Sequence, residues 1–273
     1  MNSEQLRLLL EAELEATAAI LEVYARDFDV EHKADDSPLT EADRASHDII
    51  LKKLEPTGIP VLSEESAEIP YAERKDWERF WLVDPLDGTK EFIKKNGEFT
   101  VNIALIESGV PVMGAVYAPV LNTAYLGVAG EGAWRLLKGT HFHSADDLPG
   151  ALEEAALPTL GEGPGDPGGI RVVASRSHRN EATEQFIAEL EAQYGPAELV
   201  SKGSSLKLCL VAEGAADVYP RIAPTMEWDT AAAQAVVEAA GGVVLQHGTD
   251  VPLRYNKQDL LNPYFIAAVP GVL

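Results

Sequence analysis

Apolar residues recur at helical spacing from about Gln5 to Arg26, with Leu6, Leu9, Leu10, Leu14, Ile20, Leu21 and Tyr24 on one stripe, so a long amphipathic helix is expected there. The turn-rich run ADDSPLTEAD (34–43) leads into a second helix, expected from Thr40 or Glu41 to Leu54 with Ile49, Ile50 and Leu54 inward. Pro56, Gly58 and Pro60 close it, and IPVLSEES (59–66) reads as a short strand running into two acids. FWLV (80–83), VNIAL (101–105), VMGAVYAP (112–119) and TAYLGVAG (123–130) are apolar runs of strand length, and EGAW (131–134) begins another, which predicts a meander and hence a sheet. Gly and Pro concentrate between Leu157 and Gly169, the expected boundary between a first lobe (1–156) of helices and antiparallel sheet and a second lobe (157–273). Beyond it strands and helices alternate: IRVVAS, EATEQFIAELEAQYG, ELVSKG, SLKLCLVAEG, ADVYPR, WDTAAAQAVVEAAGG and VVL, the pattern of an α/β fold.

Composition narrows the function. The 273 residues are 46% hydrophobic, enough for a core, yet no run approaches the 18 or so apolar residues of a membrane-spanning helix. The first segment carries glutamates and no basic region ahead of its apolar residues, unlike a secretory leader. The single Cys209 lies among apolar neighbours, can form no internal disulfide, and suits a reducing, cytoplasmic setting. A formal net charge of −22 excludes long nucleic acids as partners, because their affinity comes from Lys and Arg on phosphates. It also opposes adsorption to anionic lipid on the inner face of a membrane. Composition sets no oligomeric state.

The informative acids are those embedded in apolar surroundings. In WLVDPLDGTKEF (81–92), Pro85 at the second position predicts a turn that brings Asp84 and Asp87 together, within about 7 Å between their Cα atoms. Two such carboxylates repel unless a cation sits between them, and with no His or Cys in the stretch a hard cation such as Mg²⁺ is favoured over zinc. Gly88 and Thr89 open a short helix or turn whose amides suit a phosphate. D-P-x-D-G is also ordinary turn chemistry, so this run alone leaves both readings open. Glu64 and Glu65 end another apolar run; neighbours in an extended chain face opposite ways, so one of the two at most is expected as a ligand. Asp229 stands before the helix Ala231 to Ala240 as its expected N-cap, rigid enough to serve also as a metal ligand.

Taken together, SEE (63–65), WLVDPLDGTKEF, GEFTVNIALIESGVPVMGAVYAPV (97–120) and EWDTAAA (227–233) resemble the inositol monophosphatase superfamily of Mg²⁺-dependent, lithium-sensitive phosphatases. Within it, KADDSPLTEAD (33–43), DGTKEFIKKNGEFTVNIAL (87–105), SRSH (175–178) and GSSLKLCLVAEGAADVYPR (203–221) are similar to the 3′(2′),5′-bisphosphate nucleotidases of the bacterial CysQ kind. Lys90-Glu91-Phe92 after DGT separates them from inositol phosphatases, which usually have Thr-Asn-Phe there.

The resemblance implies an αβαβα sandwich and a catalytic centre with two or three Mg²⁺ ions. Glu64, Asp84 and the Leu86 carbonyl would hold one ion, and Asp84, Asp87 and Asp229 the second. Thr89 with Asp43 would position the attacking water, although by itself Asp43 looks like a helix-surface acid. The implied substrate is a small nucleotide bisphosphate, adenosine 3′,5′-bisphosphate or its sulfated precursor, contacted by Glu64, Leu86, Asp87, Gly88, Thr89 and Asp229, by Lys207 and Arg221 at the 5′-phosphate, and by His178 and Ser204 at the nucleoside. Glu227 departs from the family pattern as an extra acid expected to alter pocket polarity. An inositol monophosphatase or a fructose 1,6-bisphosphatase is the alternative of the same class, and a non-catalytic metal- or phosphate-binding protein the alternative of another.

Overall fold

The leucine stripe forms α1 (Ser3–Tyr24), with Leu6, Leu9, Leu10 and Ile20 fully buried. The structure, a computed structural model, describes residues 3–32, 38–66, 68–165, 168–174 and 180–273. Strands β1 (Val30–His32) and β2 (Pro38–Thr40) pair antiparallel. Helix α2 (Glu41–Leu54) begins on a capping box, in which the Thr40 hydroxyl accepts the Ala42 amide and Asp43 accepts the Thr40 amide. Then come β3 (Val61–Ser63), the short helix α3 (Tyr71–Arg74), β4 (Arg79–Asp87), the short helix α4 (Thr89–Ile93), and the expected meander of β5 (Thr100–Glu107), β6 (Val110–Ala118), β7 (Thr123–Val128) and β8 (Gly132–Leu137). These strands make a six-stranded sheet in the order β3-β4-β5-β6-β7-β8, parallel only between β3 and β4.

After α5 (Leu148–Glu154) the alternation is β9 (Ile170–Val173), α6 (Glu181–Tyr194), β10 (Ala197–Val200), α7 (Leu206–Ala212), β11 (Val218–Arg221), α8 (Ala231–Ala239) and β12 (Val243–Gln246). A further strand, β13 (Phe265–Ala268), enters antiparallel between β11 and β12, giving the order β10-β9-β11-β13-β12. The apolar pattern did not predict β13, a run of four buried residues too short to distinguish strand from helix.

Helices α1 and α2 cover one face of the six-stranded sheet; α7 and α8 fill the space between the two sheets, and α6 lies on the outer face of the second. This is the expected αβαβα order. Two glycines set how closely α8 approaches: a Cβ at Gly114 of β6 would overlap the Ala232 carbonyl, and one at Gly127 of β7 would lie 2.5 Å from the Val236 Cα. The alanine-rich start of α8 therefore rests almost backbone to backbone on the sheet. Cys209 is buried in α7, as its apolar setting indicated. No helix among the described residues is long and apolar enough to cross a membrane.

Helix α1 also buries Glu13, whose carboxylate has no side-chain partner among the described residues and faces only the Tyr117 backbone. Burial pushes this carboxyl well above the usual range, opposed only by the Tyr117 backbone. The unfolded chain releases the proton at a lower pH than the folded one, so stability falls as pH rises from the unfolded value towards the folded one. Glu13→Met, of similar volume, is expected to stabilise the protein by about 1–3 kcal/mol near neutral pH and to flatten that fall. Urea melts at pH 5 and pH 8 check this; no difference between the two proteins at pH 8 would mean that the carboxyl is paired.

Candidate active site

The segment DPLD does not form a separate turn, as the sequence had suggested; it stays within β4. Asp84 pairs with Asn102 and Asp87 with Thr100, so three steps along β4 meet two along β5, which is a one-residue bulge. In a regular strand residues three apart face opposite sides. The extra residue returns Asp87 to the face of Asp84, so the convergence expected from a turn is reached by a bulge instead. Pro85 fits such an irregularity because it has no amide to contribute to the ladder. Its carbonyl accepts the Ser46 hydroxyl at 2.7 Å, and the Leu86 amide donates to Asp84 Oδ1 at 3.0 Å.

Asp229 arrives from the far end of the chain. It ends a short 3₁₀ turn, Glu227–Asp229, and its Oδ2 accepts the Met226 amide at 2.8 Å. Thr230, not Asp229, occupies the N-cap of α8, so the expected cap is corrected by one residue. One oxygen from each of Asp84, Asp87 and Asp229 lies within 4.8 Å of the others, the one such acidic group among the described residues.

Burial, then the charges of Glu64, Asp87 and Asp229, raise the Asp84 carboxyl well above its ordinary value. Burial and Asp87 push Asp229 up to about 7, with the Met226 amide and then Arg221 pulling the other way. Glu64 lies in a 3₁₀ turn (Glu64–Ser66), not an extended chain, so alternation of sides does not decide between the two glutamates. Their fields do: Glu64 acts on Asp84 and Asp229, while Glu65 acts on Arg44 and His47. Crowded, buried carboxylates with an oxygen-only donor set fit a hard divalent cation, which would relieve the repulsion that raises them.

Asp43 is 3% exposed, so it is no helix-surface acid. Its Oδ2 accepts the Thr40 amide and hydroxyl at 2.7 and 2.6 Å, and its Oδ1 lies 3.3 Å from the Thr89 hydroxyl. Thr89 Oγ1 is also 3.4 Å from the Leu86 carbonyl. Gly88, just before it, has φ 90°, and a side chain there would press on Ser204 Cβ at 3.2 Å and the Glu98 carbonyl at 3.3 Å.

A small cavity of about 70 Å³ beside the acids is lined by Asp87, Ser204, Lys207, Tyr219, Arg221 and Asp229. Lys207 stands over the Tyr219 ring and Arg221 donates to the Pro224 carbonyl, so both cations are held at the cavity wall. A larger cleft of about 640 Å³, lined by Arg7, Trp134 and Leu152, contains none of these groups and no convergent chemistry. His178 lies outside the described residues.

Glu227 does not alter pocket polarity. It is fully buried, accepts the Asn256 and Lys257 amides, and pairs with Lys257 Nζ at 2.6 Å, which anchors the turn that presents Asp229. Ser205 is the residue that sequence reasoning missed. Its amide and hydroxyl reach Asp87 Oδ2 at 2.6 and 2.9 Å. The only signal was a second serine directly before a helix, which reads as an ordinary cap.

Comparison with known proteins agrees with this geometry. Residues 1–271 match the inositol monophosphatase family. A 3′(2′),5′-bisphosphate nucleotidase CysQ of Escherichia coli O157:H7 is 46% identical over 257 residues, covering 92% of this chain and 94% of its own. The protein of the same name from Haemophilus influenzae is 33% identical over 97% of this chain and 93% of its own. Among solved structures, CysQ from Bacteroides thetaiotaomicron superposes with a TM-score of 0.85 at 46% identity, covering 98% of each chain. An inositol monophosphatase from Anabaena, at 23% identity, a TM-score of 0.67 and coverage of 97% of this chain and 89% of its own, shares the fold. With its acids gathered on a bulged strand and a distant 3₁₀ turn, the chain belongs to the inositol monophosphatase family.

Proposed function

We propose that the chain hydrolyses the 3′-phosphate of adenosine 3′,5′-bisphosphate to AMP and phosphate, supporting sulfur assimilation in the cytoplasm, with the sulfated precursor as a second substrate. The observation that carries this choice is the pair Lys207 and Arg221 on the wall of the cavity that also contains Asp87 and Asp229. A monophosphate held at the acids needs no second cationic subsite; a substrate with another phosphate does.

Glu64, Asp84, Asp87, Asp229 and the Leu86 carbonyl would hold Mg²⁺, as two or three ions. When bound, the metal supplies positive charge that stabilises phosphoryl oxygens and eases deprotonation of water. The chain's own residues do the rest. The Thr89 hydroxyl donates towards Asp43 Oδ1, which leaves its lone pairs to accept a hydrogen from the attacking water. As that water's oxygen joins phosphorus, its proton moves along the Thr89–Asp43 pair and the bond from phosphorus to the 3′-oxygen breaks; the 3′-oxygen takes a proton from solvent. The amides of Gly88 and Thr89 would bind phosphoryl oxygens, Lys207 and Arg221 the 5′-phosphate, and Ser204 and His178 the nucleoside.

The test is phosphate release with Mg²⁺ from adenosine 3′,5′-bisphosphate, inositol 1-phosphate and fructose 1,6-bisphosphate. Preference for the nucleotide, suppressed by lithium, is expected. Preference for either other ester would overturn the substrate, and no turnover of any would favour a binding protein.

Cation affinity should also depend on pH. With Asp229 at about 7 and Asp84 raised, the free acids keep protons that a metal must displace. Mg²⁺ is therefore expected to bind at least about tenfold more tightly at pH 8 than at pH 6, with proton release visible by calorimetry in buffers of different ionisation enthalpy. Equal affinity at the two values would show that the acids are ionised without metal.

A further inference from the structure

Ser205 occupies the N-cap position of α7, where a serine hydroxyl ordinarily accepts an amide of the first turn. Here the residue is itself helical, φ −65° and ψ −10°, and its side chain makes no capping bond. The hydroxyl is directed to the acid cluster instead. Its Oγ lies 2.9 Å from Asp87 Oδ2 and 2.9 Å from the Asp229 carbonyl, and accepts the buried Asn102 amide group at 2.9 Å. The Ser205 backbone amide donates to the same Asp87 oxygen at 2.6 Å.

Ser204, just before it, is left-handed at φ 44°, a conformation that costs a non-glycine residue about 1–2 kcal/mol. A forgone cap is worth about 1 kcal/mol more. Local stability is given up here for contacts on one carboxylate oxygen, the mark of a functional constraint.

We infer that Ser205 is a positioning residue that occupies Asp87 Oδ2, so that Asp87 offers a cation its other oxygen alone, in one orientation. The inference rests on the reading of these acids as a divalent-cation site. Two donors from Ser205 on one oxygen, with the Thr100 hydroxyl beside them at 3.5 Å, oppose rotation of the carboxylate and its use as a two-oxygen chelate. The same hydroxyl touches the backbone of Asp229, so a single side chain ties the strand that carries one acid to the turn that carries another. Its only hydrogen goes to one acceptor at a time, and the carboxylate is the stronger of the two.

The test is Mg²⁺ binding by calorimetry on the full chain without substrate, for the native protein, Ser205→Ala, Ser205→Thr, Asn102→Ala and Asp84→Asn, with melting curves in EDTA. Ser205→Ala is expected to weaken Mg²⁺ binding about 10–100-fold. Ser205→Thr, which keeps the hydroxyl, should stay within about threefold of native, and Asn102→Ala, which removes only the group that orients it, should fall between. Native affinity in Ser205→Ala, or equal losses in the Ala and Thr variants, overturns the inference. If Ser205→Ala does not fold in EDTA, Asn102→Ala decides, and unchanged affinity there overturns it. Absence of Mg²⁺ binding by the native protein sinks the cation site as well, whereas a native site lost in Asp84→Asn but intact in Ser205→Ala sinks the role of Ser205 alone.

Discussion

Asp84→Asn is expected to lower phosphate release by about 10³-fold or more while raising the melting temperature of the metal-free protein. The two effects share one cause. Asp84 is 1% exposed, and burial together with Glu64, Asp87 and Asp229 makes its charge costly in the folded chain. Above the ordinary carboxylate range the unfolded chain ionises it freely and the folded chain does not, so the charge destabilises the fold as pH rises. Asparagine keeps an oxygen to accept the Leu86 amide and removes the charge. On the proposed function activity falls because the cation site loses its most buried acid; stability rises because the repulsion is gone. Phosphate-release assays and thermal melts in EDTA at pH 7.5 check both halves, and a variant that is inactive but less stable would show that Asp84 is ionised and paired without metal.

Glu227→Ala should have the largest effect on stability. Removing one partner of a buried ion pair typically costs about 3–5 kcal/mol. The Lys257 side chain keeps 29% of its exposure and stays partly solvated, so the lower end, about 3 kcal/mol, is expected. For a chain of this size that corresponds to a drop of roughly 6–12 °C in melting temperature. The amides of Asn256 and Lys257 also lose their acceptor, and the turn that carries Asp229 loses its anchor. A variant that melts within about 2 °C of the native protein would mean that Lys257 finds another acceptor, such as Asn262 Oδ1, at 3.3 Å in the native protein.

Much of this was legible in the order of residues. Periodicity located α1 and α2 because each buries one face against a layer, whereas the meander was legible as apolar runs between turn residues, its strands being buried on both faces. Strand β13 was not picked out because a short continuous apolar run does not by itself distinguish strand from helix. Asp84 and Asp87 could be paired from their flanking residues, yet the device was taken for a turn, since the bulge depends on which β5 residues lie opposite and no local pattern encodes that register. The exposure of Asp43 was misjudged for a related reason: a capping acid and a buried one have the same neighbours in sequence, and only the position of Thr89 distinguishes them. Glu227 and Ser205 were misread or passed over because their partners, Lys257 and Asp87, lie far away along the chain.

The division of the acids between β4 and the turn before α8 also sets an order in time. A chain emerging from the ribosome presents Asp84 and Asp87 first, and roughly 140 residues, or on the order of 10 s of synthesis, pass before Asp229 exists. Until then no α8 lies against the glycines of β6 and β7, and the two early carboxylates have no third member to close the group. A product of translation interrupted before Asp229 therefore lacks one of the three acids that form the group.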